Sequence, residues 1–121
     1  MKPEDLNDRF GEAYNAGRMD ALLALYEPEA IVAFGPAGLV SGQAALRAAL
    51  EPFVALRGKL SYQRRFCIVS GDLALLSIEY TLKDGRAPDR SPVEMSGVTV
   101  ELARRQPDGT WKYVIDLPNG G

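Results

Sequence analysis

The chain of 121 residues contains no histidine and a single cysteine. The first absence removes the commonest metal ligand, the usual general base near neutral pH, and every Ser-His or Cys-His catalytic arrangement. Any proton chemistry must therefore run through carboxylates, tyrosine, lysine or water, and no metal or cofactor is expected. The lone Cys67 forbids an intramolecular disulfide and fits a reducing compartment. It lies in the apolar run Phe66-Cys67-Ile68-Val69, where a buried structural thiol is expected, because a reactive one needs exposure and electropositive neighbours. Basic excess is missing too. The formal net charge is −2, and the pairs Arg64-Arg65 and Arg104-Arg105 fall in predicted strands whose alternation sends the members of each pair to opposite faces. No nucleic-acid partner is expected of such a surface. No apolar run approaches a membrane span, and the opening MKPEDLND is acidic. A soluble cytoplasmic protein without a membrane partner is the expectation.

What is present fits one domain over residues 1–121 with one core, at 46% hydrophobic and 25% charged residues. Pro3-Glu4-Asp5 suits a helix start, and Leu6, Phe10, Ala13 and Tyr14 recur at helical spacing up to Gly17. A second helix is predicted from Arg18 to about Tyr26, closed by Pro28, and then a short strand from Ala30 to Phe34 ended by the turn Gly35-Pro36-Ala37-Gly38. Ser41 or Gly42 can cap a third helix carrying Leu46, Ala49, Leu50 and Phe53, with a kink or early end at Pro52. Strands follow from Leu60 to Val69 and from Asp72 to Leu82 around a Ser70-Gly71 turn. Asp84 to Pro92 reads as an exposed loop.

The stretch Val93 to Pro118 reads as a long antiparallel hairpin turning at Gln106-Pro107-Asp108-Gly109. Pairing Gln106 with Gly109 sets Leu102 opposite Tyr113, Val100 opposite Ile115, Val98 opposite Leu117 and Trp111 opposite Arg104. That makes one face apolar and suggests cation–π packing of Trp111. The other face is mixed, with Thr99, Glu101, Ala103, Lys112, Val114 and Asp116. The fold class is α+β, a curved antiparallel sheet with the helices packed on one face.

The stretch NAGRMDALLALYEPEAIVAFGPAGLVSGQAALRAAL resembles the opening of the nuclear transport factor 2-like superfamily, in its small SnoaL-like and ketosteroid isomerase-like branches. GDLALLSIEYTL and RRQPDGTWKYVIDLP are also similar to that group, so the likeness covers nearly the whole chain. It implies a cone-shaped α+β barrel around a cavity, a homodimer through the sheet, and a small apolar or polyketide-like ligand. Function in this superfamily rests on sites that vary between members. In ketosteroid isomerases an Asp base works with a Tyr and a protonated Asp. Alignment on Asn15-Ala16-Gly17 puts Phe10 at the tyrosine position and Phe34 at the base, and neither transfers a proton. Alignment from Gly109 brings the second aspartate near Glu101 and turns Asp116 toward the cavity.

Asp116 and Glu101 are therefore the candidate catalytic residues. Asp116 is either a carboxyl raised by apolar walls or a solvated strand-end acid. Glu101, diagonal to Asp116 and Lys112, either pairs with Lys112 on a wet face or shares a proton with Asp116. Tyr14, Phe10, Phe34, Val114, Tyr62 and Arg64 are the candidate ligand contacts. Tyr14 follows Phe10 by one turn and either donates into the cavity or packs in the core. Arg64, Tyr62, Ser77 and Glu79 share a face of the middle hairpin, and Arg64 either pairs with Glu79 or holds an acidic ligand. The apolar face of the last hairpin is either core or covered by a second subunit.

Overall fold

The computed structural model describes residues 1–33 and 38–119. Phe34 and the Gly35-Pro36-Ala37 part of the expected turn lie outside the described residues. Helix α1, Asp5–Asn15, has Asp5 and Asp8 in its first turn, where carboxylates favour the positive end of the helix dipole. It ends at Gly17, which takes φ +68°, with Gly17 N–H bonded to Tyr14 O and Arg18 N–H to Ala13 O at 3.0 Å. Those two bonds satisfy carbonyls that the helix end would leave open. The second helix is shorter than expected: α2 is Met19–Leu23, and Tyr26 already begins strand β1, Tyr26–Ala33. Pro28 does not close a helix. It sits where the pairing of β1 shifts register between Tyr26 and Ile31, a place where a missing N–H interrupts no regular ladder.

A short strand not expected from the sequence, β2 (Leu39–Ser41), pairs with β1, and α3 follows as Gln43–Ala55. The helix passes through Pro52 rather than stopping there. So close to the C-terminus the proline removes a single bond, while Leu46 and Leu50, both buried, hold the helix on the sheet. The remaining strands are β3 (Lys59–Ser70), β4 (Leu73–Arg86), β5 (Pro92–Val98), β6 (Val100–Arg105) and β7 (Trp111–Leu117). The expected loop over Asp84 to Pro92 narrows to residues 87–91.

The sheet order is β2-β1-β7-β6-β4-β3, with β5 beside the second half of β4. β1 and β7 run parallel, so the sheet is mixed where an antiparallel one was expected. A parallel pair needs a long connection, and here nearly the whole domain lies between the two strands. The sheet curves and stays open between edge strands β2 and β3, and its inner face carries the core with Leu6, Leu22, Tyr26, Val32, Leu76 and Leu82. On its outer face Ile31, Ile115, Leu102, Leu75 and Ile68 are successive cross-strand partners, an apolar row spanning five strands.

Both hairpin registers differ from the expected ones. Ser70 pairs with Leu73, so the tight loop is Gly71-Asp72, with Gly71 at φ +60°. The last hairpin closes through Gln106 N–H to Thr110 O at 2.7 Å, which sets Arg105 opposite Trp111 and Ala103 opposite Tyr113. A bulge then leaves Val114 unopposed, and Leu102 meets Ile115 and Val100 meets Leu117. Val98 pairs with Glu79 of β4 instead. Trp111 is buried on the inner face, away from the expected packing on Arg104, which pairs with Glu27 at 3.0 Å.

Candidate functional site

Polar side chains converge where α1, β1, β6 and β7 meet under the concave face of the sheet. Strand alternation turns Glu101 and Ala103 of β6 inward. On β7, Trp111 and Tyr113 point inward, Val114 and Ile115 both stay half-buried, and Asp116 points inward again, because the bulge breaks the alternation between them. Glu101 and Asp116 thereby become direct cross-strand partners, only 4% and 6% exposed. Lys112 stands opposite Arg104 instead, so the alternative Glu101–Lys112 pair does not form.

The phenol of Tyr26, on β1, donates to Asp116 Oδ2 at 2.5 Å. The Tyr113 hydroxyl donates to Asn7 Oδ1 of α1 at 2.6 Å, and the two tyrosine rings lie 5.0 Å apart. Among the described residues two buried polar atoms here have no protein partner, Asn7 Nδ2 and Glu101 Oε2. Thr99 stands at the break between β5 and β6. Its N–H donates to Ile78 O at 2.9 Å, its Oγ1 accepts from Ile78 N–H at 3.3 Å, and Ser77 Oγ donates to Thr99 O at 2.5 Å.

These groups border a cavity of about 190 Å³ whose walls include Phe10, Phe53, Leu60, Tyr62, Ile78 and Tyr80. Burial in this apolar setting raises the Glu101 carboxyl to about 8, reinforced by the Asp116 charge and partly offset by the Thr99 hydroxyl. Burial raises Asp116 to about 6, with the Tyr26 hydrogen bond opposing the rise. Near neutral pH the pair therefore holds one proton between its two members, and the Tyr26 hydrogen bond favours the ionised form on Asp116. Burial and the nearby acids push both Tyr26 and Tyr113 well above the ordinary phenol range, so they act as donors.

Of the other expected contacts, Phe10 lines the cavity and meets the Tyr113 ring edge to face at 6.4 Å. Tyr62 lines it too, and its hydroxyl donates to Asp8 of α1. Tyr14 lies outside the lining: it is buried against Phe53, with ring centroids 4.4 Å apart, and donates to Phe53 O at 2.8 Å. Val114 is the bulge residue and is not among the residues that line the cavity. Arg64 stands opposite Ile78 on the ladder, because β3 has its own register shift, and pairs with Asp8 at 3.4 Å rather than with Glu79. Phe34 lies outside the described residues. Cys67 is half-buried and its thiol is pushed up to about 11, chiefly by burial.

Tyr26, Tyr113, Asn7 and Thr99 complete the constellation; the sequence places Thr99 on the face of Glu101 and Asp116, but none of the four is among the expected site residues. Tyr26 was expected to end a helix, and Tyr113 to face away from Asp116. Asn7 carried a usable signal, since it precedes Phe10 by three positions and so shares its helix face. Among the described residues no three His, Cys, Asp or Glu side chains converge in a group able to hold a metal.

A family model described as a SnoaL-like domain matches residues 8–113. No curated protein matches the chain. Many solved structures share its fold. A nuclear transport factor 2-like protein of unknown function from Shewanella oneidensis is 21% identical, with a TM-score of 0.75 over 94% of this chain and 93% of that one. A ketosteroid isomerase-like protein from Erwinia carotovora is 17% identical, with a TM-score of 0.76 over 94% of this chain and 89% of that one. A conserved protein from Planctomyces limnophilus, 16% identical, has a TM-score of 0.81 over 94% of this chain and 89% of that one.

Proposed function

This chain belongs to the SnoaL-like domain family, and on that premise we propose that it binds a small apolar or polyketide-like molecule and transfers a proton on it without a cofactor, in an isomerase, cyclase or dehydratase type of reaction. The observation that carries the reading is the facing pair Glu101 and Asp116 at the floor of an apolar cavity. Asp116, ionised and held by the Tyr26 phenol, takes a proton from substrate carbon. Glu101, protonated, gives one to substrate oxygen. The turnover leaves Asp116 protonated and Glu101 ionised, and a proton passing between them across the ladder restores the starting state.

Two further parts of the reading concern assembly and place. The apolar row from Ile31 to Ile68 on the outer face supports a homodimer formed through the sheet. A single, protonated cysteine suits a reducing compartment, and the reading places the protein in the cytoplasm.

The test follows hydrogen exchange at the α-carbon of cyclic ketones by NMR, in the native protein and in Asp116→Asn. Exchange in the native protein, lowered on the order of 100-fold in the variant, is the expected result. Equal exchange in both sinks the catalytic assignment. A second reading, a non-catalytic dimeric binding or accessory protein, is favoured by Phe10, an inert ring in the cavity wall where the family resemblance places a proton donor. Ligand binding without any exchange in the native protein selects it.

A further inference from the structure

The cavity has an unbalanced chemistry. Among the described residues two acids border it, and no lysine or arginine does. Asp116 already accepts from Tyr26, whereas Glu101 Oε2 is buried with no partner. The groups around this atom are the Asp116 carboxyl and Tyr113 phenol of β7, the Tyr26 phenol of β1, Thr99 beside β6, and Asn7 of α1 with Asp8 beyond it. All are neutral or negative. Among the described residues five aromatic rings line the cavity with these acids, those of Phe10, Phe53, Tyr62, Tyr80 and Tyr113.

We infer that this cavity also takes a lipophilic amine, bound as its ammonium ion with an N–H donating to Glu101 Oε2 and its hydrocarbon body among the aromatic rings. Each requirement of the site points the same way. The unpartnered oxygen calls for a donor, the two acids call for positive charge, and the ring faces attract a cation while burying apolar surface. A neutral alcohol meets the first and third of these needs but leaves the charge uncompensated. A carboxylate brings no donor and adds a second negative charge to the one the acid pair already carries. The unpartnered Asn7 Nδ2 adds a donor for an ether, carbonyl or hydroxyl oxygen elsewhere on the same ligand.

The inference goes beyond the proposed function and rests only on its reading of the cavity as a binding site, since a bound amine that ionises Glu101 occupies the cavity without turning over. Phenylbutylamine, phenylbutanol and phenylbutyrate share one skeleton and differ in head group, so calorimetric titration of the native protein with each isolates the charge. The amine is expected to bind about tenfold or more tighter than the alcohol, with the carboxylate weakest. Its affinity rises as pH increases from about 6 toward about 8, and binding releases a proton, because the ammonium favours ionised Glu101. Glu101→Gln erases the preference for amine over alcohol while the alcohol still binds, which also reports a folded variant. Alcohol binding as tightly as amine, or no proton release, overturns the inference and leaves the proposed function standing. No binding by any of the three overturns both.

Discussion

Glu101 of β6 and Asp116 of β7 stand directly opposite one another on a single ladder, with both carboxyls turned into the same apolar cavity. Like-charged residues in facing positions weaken a sheet, and burial compounds the cost. The arrangement persists here because burial favours keeping a proton on the pair and the Tyr26 phenol donates to Asp116. The pair is thus a local liability of the fold, and its measurable consequences follow from that.

Stability is expected to fall as pH rises. Both carboxyls have folded values above their unfolded ones, about 8 against 4.5 for Glu101 and about 6 against 3.8 for Asp116. Between those values the folded state holds more protons than the unfolded state, so the slope of unfolding free energy with pH is negative. The contribution is complete below the unfolded values and is lost as pH climbs through about 6 and then about 8. Urea melts should show lower stability at the top of this range than at the bottom. Glu101→Gln, which removes one titration, should recover roughly 2–4 kcal/mol at the alkaline end and almost nothing in acid.

Tyr26→Phe should act mainly on Asp116. The substitution keeps the ring packed against Tyr113 and deletes only the hydroxyl that donates at 2.5 Å. A buried carboxylate without its donor costs about 1–3 kcal/mol, and the loss should be largest where Asp116 is ionised. The Asp116 carboxyl then titrates at higher pH than in the native protein, readable from its side-chain carbon chemical shift. A shift that stays put shows that the phenol does not hold the charge.

The helices, the hairpin sheet and the shared face of Glu101 and Asp116 were legible in the sequence, and the reason the last survived is geometric. The turn at Gln106 closes one residue later than expected, which moves Trp111 and Tyr113 from the outer face to the inner. The bulge at Val114 adds a second slip of one, and two slips restore the parity of Asp116. The expected register was therefore wrong along β7, while the faces of Glu101 and Asp116 came out unchanged. Tyr26 was lost for a different reason. Its helical spacing with Leu22 and Leu23 is real, but α2 ends at Leu23, and pairing with β7 draws Tyr26 into β1. Long-range pairing of this kind leaves no local signal.

Leu75→Lys should break the proposed homodimer without unfolding the chain. Leu75 sits within the apolar row, flanked by Leu102 and Ile68 on neighbouring strands, and is 37% exposed in the isolated chain. A lysine there is tolerated by water and penalised in an interface. Sedimentation should show the native protein at twice the 13.2 kDa chain mass and the variant at that mass, with unchanged far-ultraviolet circular dichroism. A native protein that sediments as a monomer removes the sheet-to-sheet dimer.

Thr99→Val tests whether the strand break between β5 and β6 serves the acid pair. At the break the Thr99 hydroxyl stands in for a ladder carbonyl by accepting from Ile78 N–H, and the same hydroxyl lowers the Glu101 carboxyl toward its ordinary range. Valine keeps the shape and removes the oxygen. The unpaired Ile78 N–H should cost about 1–3 kcal/mol, measured by denaturant unfolding in acid where Glu101 stays protonated. Loss of the hydroxyl should also raise the pH at which Glu101 ionises, and so extend the alkaline decline in stability to higher pH. A variant with the full stability loss but an unmoved titration would assign Thr99 to the backbone alone. Movement of both ties the break in the strand to the protonation state of the pair beneath it.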